Sequence, residues 1–298
     1  MFDLKKYLIE KQTAVNSALG CIVRQEGTSE QRIVSAMRHS LMAGGKRLRP
    51  VLCLAAAEIV GGDEDLVLAT ACSLEMIHTY SLIHDDLPAM DDDDMRRGKQ
   101  TCHIAFDEAT AILAGDALLT MAFEVLSKNE NLISSEYAFK KLDVIHKIAS
   151  AAGYRGMIAG QMADILSEGG NLDMEALKVL HLAKTGALIE ASVYAGAVLG
   201  NGTPDQIKML TAYGRTIGLA FQVADDILNV EGDPEVMGKA AGTDSARKKS
   251  TYPSLVGVDK SKQFAKKLVD DSLNALKMFD KKAEPLRAIA RYIIERKK

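Results

Sequence analysis

Six aspartates within ten residues form a dense cluster of negative charge: Asp85, Asp86 and all four residues of 91–94. Carboxylates this close together repel one another unless cations neutralise them. Magnesium, a hard ion, is usually bound by one or two carboxylates together with substrate phosphates. A calcium EF-hand does not fit, because Met95 or Arg96 falls where oxygen ligands belong and no acid stands at the twelfth loop position. The cluster predicts a magnesium site for phosphate esters, with a solvated acidic loop as the alternative.

Asp85 and Asp91 can share one ion only if the helix ends between them. The two residues are six positions apart, which is about 240° around an ideal helix. Pro88 lies between them, and proline breaks a helix interior. We therefore predict that a loop at Pro88 brings the two carboxylates to one side.

A second polar strip occurs about 140 positions later, inside the apolar helical stretch 219–230. Asp225 and Asn229 are four residues apart, about 40° from each other on a helix, and Gln222 is one turn earlier on the same side. Asp226 is the remaining acid of the strip. The pattern predicts a second edge of the metal site, with a helix end capped toward solvent as the alternative.

Basic residues flank the acidic cluster: Lys46, Arg47 and Arg49 before it, and Arg96 and Arg97 directly after it. Opposite charges side by side predict two anion subsites, although each basic group alone could be a solvated face. Lys46 is not part of a Walker A loop, which needs an earlier glycine and a following Ser or Thr. His78 lies seven residues before Asp85, about 20° away on the helix, so its imidazole is predicted to face the same site, with a core histidine as the alternative.

The elements that position these residues are predicted to be helices. Apolar residues recur at helical spacing almost throughout, so β structure should be minor. Thr203 and Asp173 have the sequence pattern of helix caps, and glycine pairs close several apolar stretches. We expect roughly ten or more helices. Because no linker or repeat divides the chain, we expect a single domain over residues 1–298.

Composition excludes several classes of function. With 47% apolar and 26% charged residues the chain can bury a large core, and a net charge of -3 with a pI near 6.1 gives no basic field for nucleic acid. The N-terminus lacks the apolar core of a signal peptide, and no run of about 18 apolar residues exists, so we expect neither export nor a membrane span. Four separated cysteines without a C-x-x-C pair predict a reducing, cytoplasmic setting.

Together these motifs closely resemble the short-chain trans-prenyl diphosphate synthases, specifically their bacterial farnesyl and geranylgeranyl diphosphate synthase branch. The resemblance covers nearly the whole chain. The first aspartate-rich motif, from Asp85 to Asp91, has the two-residue insertion of the bacterial type. Further matches are Gly44 to Pro50, Arg96-Arg97-Gly98, Gly160-Gln161 with Asp164, Lys184-Thr185-Gly186, Phe221-Gln222, Gly238-Lys239 and Lys249 to Pro253.

The resemblance implies a role for each matching residue. Isopentenyl diphosphate would be bound by Lys46, Arg49, His78 and Arg97, and the allylic diphosphate by Arg96, Lys184, Lys239 and Lys249. Asp85, Asp91 and Asp225 would bind several Mg²⁺ ions, while Lys184, Thr185 and Gln222 would act at the reacting centre. It also implies the all-α isoprenoid synthase fold around a central cavity, and a homodimer. The family's second motif usually ends in Asp, so Asn229 places magnesium affinity on that side in doubt.

The implied reaction condenses isopentenyl diphosphate with dimethylallyl and geranyl diphosphate to farnesyl diphosphate, releasing diphosphate. In this family an aromatic residue five positions before the first motif, here Tyr80, favours the shorter product, while Ser81 is its neighbour in the pocket. On a helix Ser81 lies about 40° from Asp85 and Tyr80 about 140°, so Tyr80 acts only if the pocket wraps around the helix. Alternatives are a C20 geranylgeranyl product, a non-catalytic partner subunit, or a terpene cyclase.

Overall fold

The computed structural model describes residues 2–24, 30–128, 134–170, 172–231 and 249–296. The predicted all-α class is confirmed. The helices are α1 (Leu4–Ile22), α2 (Gln31–Leu41), α3 (Leu48–Ile59), α4 (Glu64–Asp85), α5 (Cys102–Ala105), α6 (Glu108–Ser127), α7 (Ser135–Ala152), α8 (Met157–Leu166), α9 (Met174–His181), α10 (Ala187–Leu199), α11 (Pro204–Glu231), α12 (Tyr252–Val256), α13 (Val258–Ala275) and α14 (Glu284–Glu295). A π-helical turn, Leu182–Gly186, joins α9 to α10. A two-stranded antiparallel hairpin, β1 (Met95–Arg96) and β2 (Lys99–Gln100), follows α4.

The predicted caps form. The Asp173 carboxylate accepts a hydrogen bond from the backbone N–H of Ala176 at 2.8 Å and begins α9. Thr203 and Gln206 exchange side-chain-to-backbone hydrogen bonds at the start of α11, which is a capping box. Both caps satisfy first-turn amides that have no partner within the helix.

Two adjacent apolar cores hold the helices together, and α3 and α10 contribute to both. These two helices cross closely, because a Cβ on Gly196 would come within 1.9 Å of the Cys53 carbonyl oxygen. Any larger residue at 196 would push the helices apart.

All four cysteines are free; Cys53, Cys72 and Cys102 are buried like small apolar residues, and Cys21 is exposed.

Three helical stretches are long and apolar enough to cross a membrane, judged by length and composition alone: Glu64–Asp85, Glu108–Ser127 and Met174–Leu199. Other parts of the protein bury 67% and 61% of the most apolar windows in the first and last, and 39% in the second, which is α6. Of these three stretches, α6 is the least buried by the rest of the protein.

Candidate active site

The loop after α4 folds back onto the end of the helix, as Pro88 predicts. The backbone N–H of Asp91 donates to the Asp85 carbonyl at 2.8 Å, and that of Met90 donates to the Leu87 carbonyl at 2.8 Å. Burial, strengthened by the negative charge of Asp91, raises the pKa of Asp85 to about 6 despite the opposing charge of Lys184. The two carboxylates thus lie in one electrostatic environment.

Asp86 turns the other way and is 3% exposed. Both of its carboxylate oxygens accept hydrogen bonds from Nε of Arg96, at 2.7 and 2.9 Å, and Arg96 Nη2 lies 2.5 Å from Oδ1. Successive helical residues point about 100° apart, so one aspartate of the pair faces the cleft and the next faces the interior. The buried aspartate fixes the hairpin arginine at the edge of the acidic loop.

The β1–β2 hairpin separates the two adjacent arginines. Its turn residues, Arg97 and Gly98, have φ of 53° and 75°, the left-handed pair that a two-residue hairpin turn requires. Arg97 donates through Nη1 to the Gly44 carbonyl, and its guanidinium lies over Gly45, where a Cβ would come within 2.6 Å of it. Gly45 also has φ of 121°, so both its backbone and its neighbour require glycine.

Arg97 joins the predicted cationic subsite. The charges of Arg49 and Arg97 both reach the half-buried His78 ring, and loss of water contact followed by these charges lowers its pKa well below the usual value. A neutral imidazole at this position can donate one hydrogen bond to a bound anion. Nε of Arg49 is buried without a hydrogen-bond partner, as expected of a group that receives its acceptor from a ligand. Lys46 is exposed and interacts electrostatically with Asp225, whose charge also reaches Arg49.

Arg47 was grouped with the basic residues of the predicted anion subsites, but its guanidinium is bound to partners inside the protein. Arg47 has φ of 50°, is 2% exposed, and pairs with the buried Glu75 at 2.7 Å. It also donates to Asn16 at 2.9 Å and to the Leu41 carbonyl at 2.5 Å. The basic loop is therefore anchored by a buried ion pair. Glu75, a lone acid on an otherwise apolar helical stretch, was the sequence feature that could have revealed it, since a buried carboxylate needs a partner.

Lys184 and Lys249, predicted to bind the same diphosphate, meet at one aspartate. Asp164 Oδ2 on α8 lies 2.7 Å from Lys184 Nζ and 2.9 Å from Lys249 Nζ. Burial would raise the pKa of Asp164, but the two ammonium groups lower it overall. Lys249 also lies 3.7 Å from Asp91, so the lysine pair adjoins the acidic loop. A cavity of about 110 Å³ is lined by these lysines, Asp164 and Gln222.

The π-helical turn that carries Lys184 and Thr185 is packed tightly against α8. A Cβ on Gly160 would come within 2.2 Å of the Lys184 backbone nitrogen, so the Gly160-Gln161 motif is explained by close approach. Single π-turns inside helical stretches are frequent at functional sites. Lys239 lies outside the described residues, so its predicted role stays a prediction.

The two adjacent aspartates of the second acidic strip, Asp225 and Asp226, also differ in exposure and in partners. Asp225 keeps 41% of its side chain exposed, and its Oδ1 lies 2.5 Å from Nη2 of Arg296, which follows α14. The Arg296 guanidinium also stacks over the Phe221 ring, 4.2 Å from its centroid. Asp226 is 5% exposed and bonded to His181 and the Tyr252 backbone. Sequence reasoning missed His181 and Arg296 as partners, because no spacing rule connects them to α11.

The oxygen-rich donors suit magnesium without forming a finished cage. Among the residues that the structure describes, no three His, Cys, Asp or Glu side chains converge as a ready metal site. Magnesium commonly takes one or two carboxylates and completes its shell with water and substrate phosphates. Asp85, Asp91 and Asp225 supply carboxylates of the kind that such a shell requires.

The two residues predicted to set product length lie on α4. Tyr80 is 6% exposed, and its ring packs edge-on against His84 at 5.8 Å. His84 Nε2 is in turn 3.0 Å from the Ile112 carbonyl of α6. The Ser81 hydroxyl donates to the His78 carbonyl at 2.9 Å. Tyr80 therefore belongs to the contact between α4 and α6.

Comparisons with known proteins agree with this geometry. Residues 30–291 match the polyprenyl synthetase family. A geranylgeranyl pyrophosphate synthase of Catharanthus roseus is 47% identical, over 99% of this chain and 82% of its own. An FPP/GFPP synthase of Zymomonas mobilis superposes with a TM-score of 0.86 at 38% identity, covering 98% of both chains. A geranylgeranyl pyrophosphate synthetase of Pyrococcus horikoshii does so with a TM-score of 0.88 at 30% identity and the same coverage.

Proposed function

Because the chain belongs to the polyprenyl synthetase family and is a prenyltransferase of the short-chain type, we propose that it adds isopentenyl diphosphate to allylic diphosphates until a C20 product, geranylgeranyl diphosphate, is released. The observation that carries the product length is the 47% identity to the Catharanthus roseus geranylgeranyl synthase across nearly the whole chain. The synthase of Pyrococcus horikoshii supports the same choice by name. This product was the alternative in the sequence analysis.

The allylic diphosphate is assigned to the side of the cleft where Lys184, Lys249 and Arg96 lie. Asp85, Asp91 and Asp225 would hold magnesium there, which would reverse the local sign of charge and draw electrons from the departing diphosphate. The lysines and Arg96 stabilise negative charge on the leaving oxygens as the carbon–oxygen bond breaks. Their prior placement by Asp164 and Asp86 means that little reorganisation is needed during that step.

Isopentenyl diphosphate is assigned to Lys46, Arg49, His78 and Arg97. A neutral His78 can donate to the diphosphate while the arginines supply charge. Once the allylic carbon ionises, the isopentenyl double bond attacks it, and the released diphosphate accepts the proton that leaves the carbon next to the new cation. Thr185 and Gln222 are assigned to the reacting centre, where their polar groups can orient the allylic cation. No nucleophilic side chain is required.

Farnesyl diphosphate is the second candidate, and Tyr80 is the observation that favours it. A ring at this position of α4 would shorten a product pocket that reached it, and the ring is buried and packed against His84. The Zymomonas mobilis neighbour is an FPP/GFPP synthase by name. Relatives thus include synthases of several product lengths.

Product analysis tests the choice of length. The protein is incubated with isopentenyl and dimethylallyl diphosphates and magnesium, and the dephosphorylated alcohols are separated by chain length. We expect C20 to dominate; a dominant C15 alcohol would establish the farnesyl candidate instead. Tyr80→Ala should lengthen the product in either case, with Tyr154→Ala, the same change at a tyrosine that is 71% exposed, as the control. Unchanged products in Tyr80→Ala would remove Tyr80 from the length determinants.

We also propose a homodimer formed through α6 and α7. These helices expose Ile112, Leu113, Phe139 and Leu142, with 44% to 72% of each residue accessible. Large exposed apolar patches are uncommon on monomers and mark association surfaces. Light scattering should give twice the chain mass, and Leu113→Glu should shift it toward the monomer. A wild-type protein that is monomeric at micromolar concentration would contradict the proposal.

A further inference from the structure

Asp226 directs its carboxylate into the protein interior, away from its neighbour Asp225. The Asp226 side chain is 6% exposed, against 41% for Asp225. A carboxylate this deeply buried is costly unless donors compensate for the lost water. Its partners therefore indicate what the residue does.

One oxygen of Asp226 joins three elements. Oδ2 accepts a hydrogen bond from the backbone N–H of Tyr252 at 3.0 Å and lies 3.2 Å from His181 Nε2. The His181 and Tyr252 rings pack at 5.6 Å, and Tyr252 in turn packs on Phe264 at 5.3 Å. The carboxylate thus ties α11 to the end of α9 and to the first residue of α12.

Tyr252 is only three residues after Lys249, so its amide bond fixes the segment from which that lysine extends. Ser250 accepts from the Leu172 N–H at 3.1 Å, and Thr251 caps α12 with a capping box. Lys249 then reaches Asp164 at 2.9 Å, beside Lys184. Each backbone anchor removes freedom that the lysine would otherwise lose on binding substrate.

We propose that Asp226 is a positioning residue: through the Tyr252 amide and His181 it holds Lys249 in place at the allylic diphosphate subsite. This inference rests on the proposed function for the role of Lys249. It gives the second aspartate of this strip a task distinct from metal binding, which is left to Asp225. The geometry carries the assignment, because the Asp226 oxygen is already occupied by two donors inside the protein.

The matched test compares Asp226→Asn with Asp270→Asn, the same change at an exposed aspartate of α13. Kinetics are measured with geranyl diphosphate varied at saturating isopentenyl diphosphate, and the reverse. Losses of supporting contacts behind a binding group typically cost about 10- to 100-fold. We expect Asp226→Asn to raise KM for geranyl diphosphate about 10-fold, to leave KM for isopentenyl diphosphate within about twofold, and Asp270→Asn to match wild type.

A double-mutant comparison separates positioning from general stability. If Asp226 acts through Lys249, Asp226→Asn combined with Lys249→Ala should resemble Lys249→Ala alone in KM for geranyl diphosphate. Hydrogen exchange of the peptide that contains Tyr252 should be faster in Asp226→Asn, with the remaining helices unchanged. Should Asp226→Asn fail to fold, His181→Gln removes one of the two contacts and should shift the same KM by a smaller factor.

Two results overturn the inference and can be told apart. If Lys249→Ala raises KM for geranyl diphosphate but the Asp226→Asn effect multiplies with it, or falls equally on both substrates, Asp226 does not act through Lys249. If Lys249→Ala leaves that KM unchanged, the proposed role of Lys249 fails first and the inference fails with it.

Discussion

In both Asp-Asp pairs of this protein, Asp85-Asp86 and Asp225-Asp226, the two aspartates have different environments, and the difference is the same in each pair. In each pair the first aspartate, Asp85 or Asp225, remains partly exposed at the cleft, and the second, Asp86 or Asp226, is buried. Each buried aspartate holds a segment that carries a cation: the hairpin with Arg96, or the segment that begins with Lys249. The rotation of about 100° between helical neighbours produces the division in both places.

The pairs differ in the charges around them. Asp85 is followed by the folded-back acidic loop and interacts with Asp91, whereas Asp225 is paired with Arg296 and its strip ends in Asn229. One side is therefore rich in negative charge, while the other is already partly neutralised by a guanidinium. The two pairs thus share a helix geometry, but the carboxylates around Asp85 require more neutralising cations than those around Asp225.

The largest effect is expected from removing the first aspartate of the acidic loop. Asp85→Ala should lower kcat/KM by about 10³-fold, because it removes charge stabilisation in a protected site. Asp94→Ala, at an exposed residue of the same loop whose backbone is not left-handed, is the control and should change kcat/KM little. Steady-state kinetics at several magnesium concentrations measure both. Equal losses in the two variants would show that the loop acts only through total charge.

The features that the sequence predicted well are those set by local spacing. The fold class, the caps at Asp173 and Thr203, and the loop at Pro88 all follow from helical periodicity, capping chemistry and proline geometry. The cleft residues could be grouped because their types suit diphosphates and magnesium. Lys184 and Lys249 do lie together.

The supporting contacts were not predictable, because they join residues far apart in the chain. Asp164 bridges lysines 20 and 85 positions away, and Arg296 reaches Asp225 from 71 positions away. No periodicity links such positions. A buried acid such as Glu75 predicts that a partner exists, but only the packing of the helices identifies Arg47 as that partner.

Asp86→Asn tests whether the buried member of the first pair is truly a support. The amide loses the charge that Arg96 requires, so KM for the allylic diphosphate should rise about 10- to 100-fold while the magnesium dependence stays close to that of wild type. Thermal unfolding should also occur at lower temperature, because a half-buried cation loses the buried carboxylate that it pairs with. If the magnesium requirement rises as much as in Asp85→Ala, the division between the two aspartates is wrong.

The pH dependence of magnesium binding tests the crowded electrostatics of the first pair. Burial raises the pKa of Asp85 to about 6, and a protonated carboxyl cannot bind the ion, so magnesium affinity should fall about tenfold per pH unit below pH 6. Calorimetric titration with magnesium and inorganic diphosphate between pH 5 and 8 measures this. Because diphosphate also takes up a proton in this range, the step near pH 6 should appear in the difference between wild type and Asp85→Asn.

The raised pKa of Asp85 also affects the pH dependence of the free energy of unfolding when no metal is bound, in the opposite direction to that of most aspartates. Because the folded state binds the Asp85 proton more tightly than the unfolded chain, this residue's contribution to the free energy of unfolding increases as pH falls from about 6 to about 4. Wild type minus Asp85→Asn, measured by denaturant unfolding, isolates that contribution. A difference that decreases over this range would contradict the raised pKa.

The smallest expected effect comes from making the second strip resemble the first. Asn229→Asp restores a carboxylate one helical turn from Asp225, and a single added charge in a partly exposed site contributes about 1 kcal/mol. The magnesium concentration for half-maximal activity should therefore fall about fivefold, with KM for isopentenyl diphosphate unchanged. Asp259→Asn, at the exposed start of α13, is a charge-change control away from the strip. Because Arg296 already neutralises Asp225, the gain from combining Asn229→Asp with Arg296→Gln is expected to exceed the sum of the two single gains in free energy. If the two changes simply add, Arg296 does not compete with the cation, and the difference between the two edges resides in residue 229 by itself.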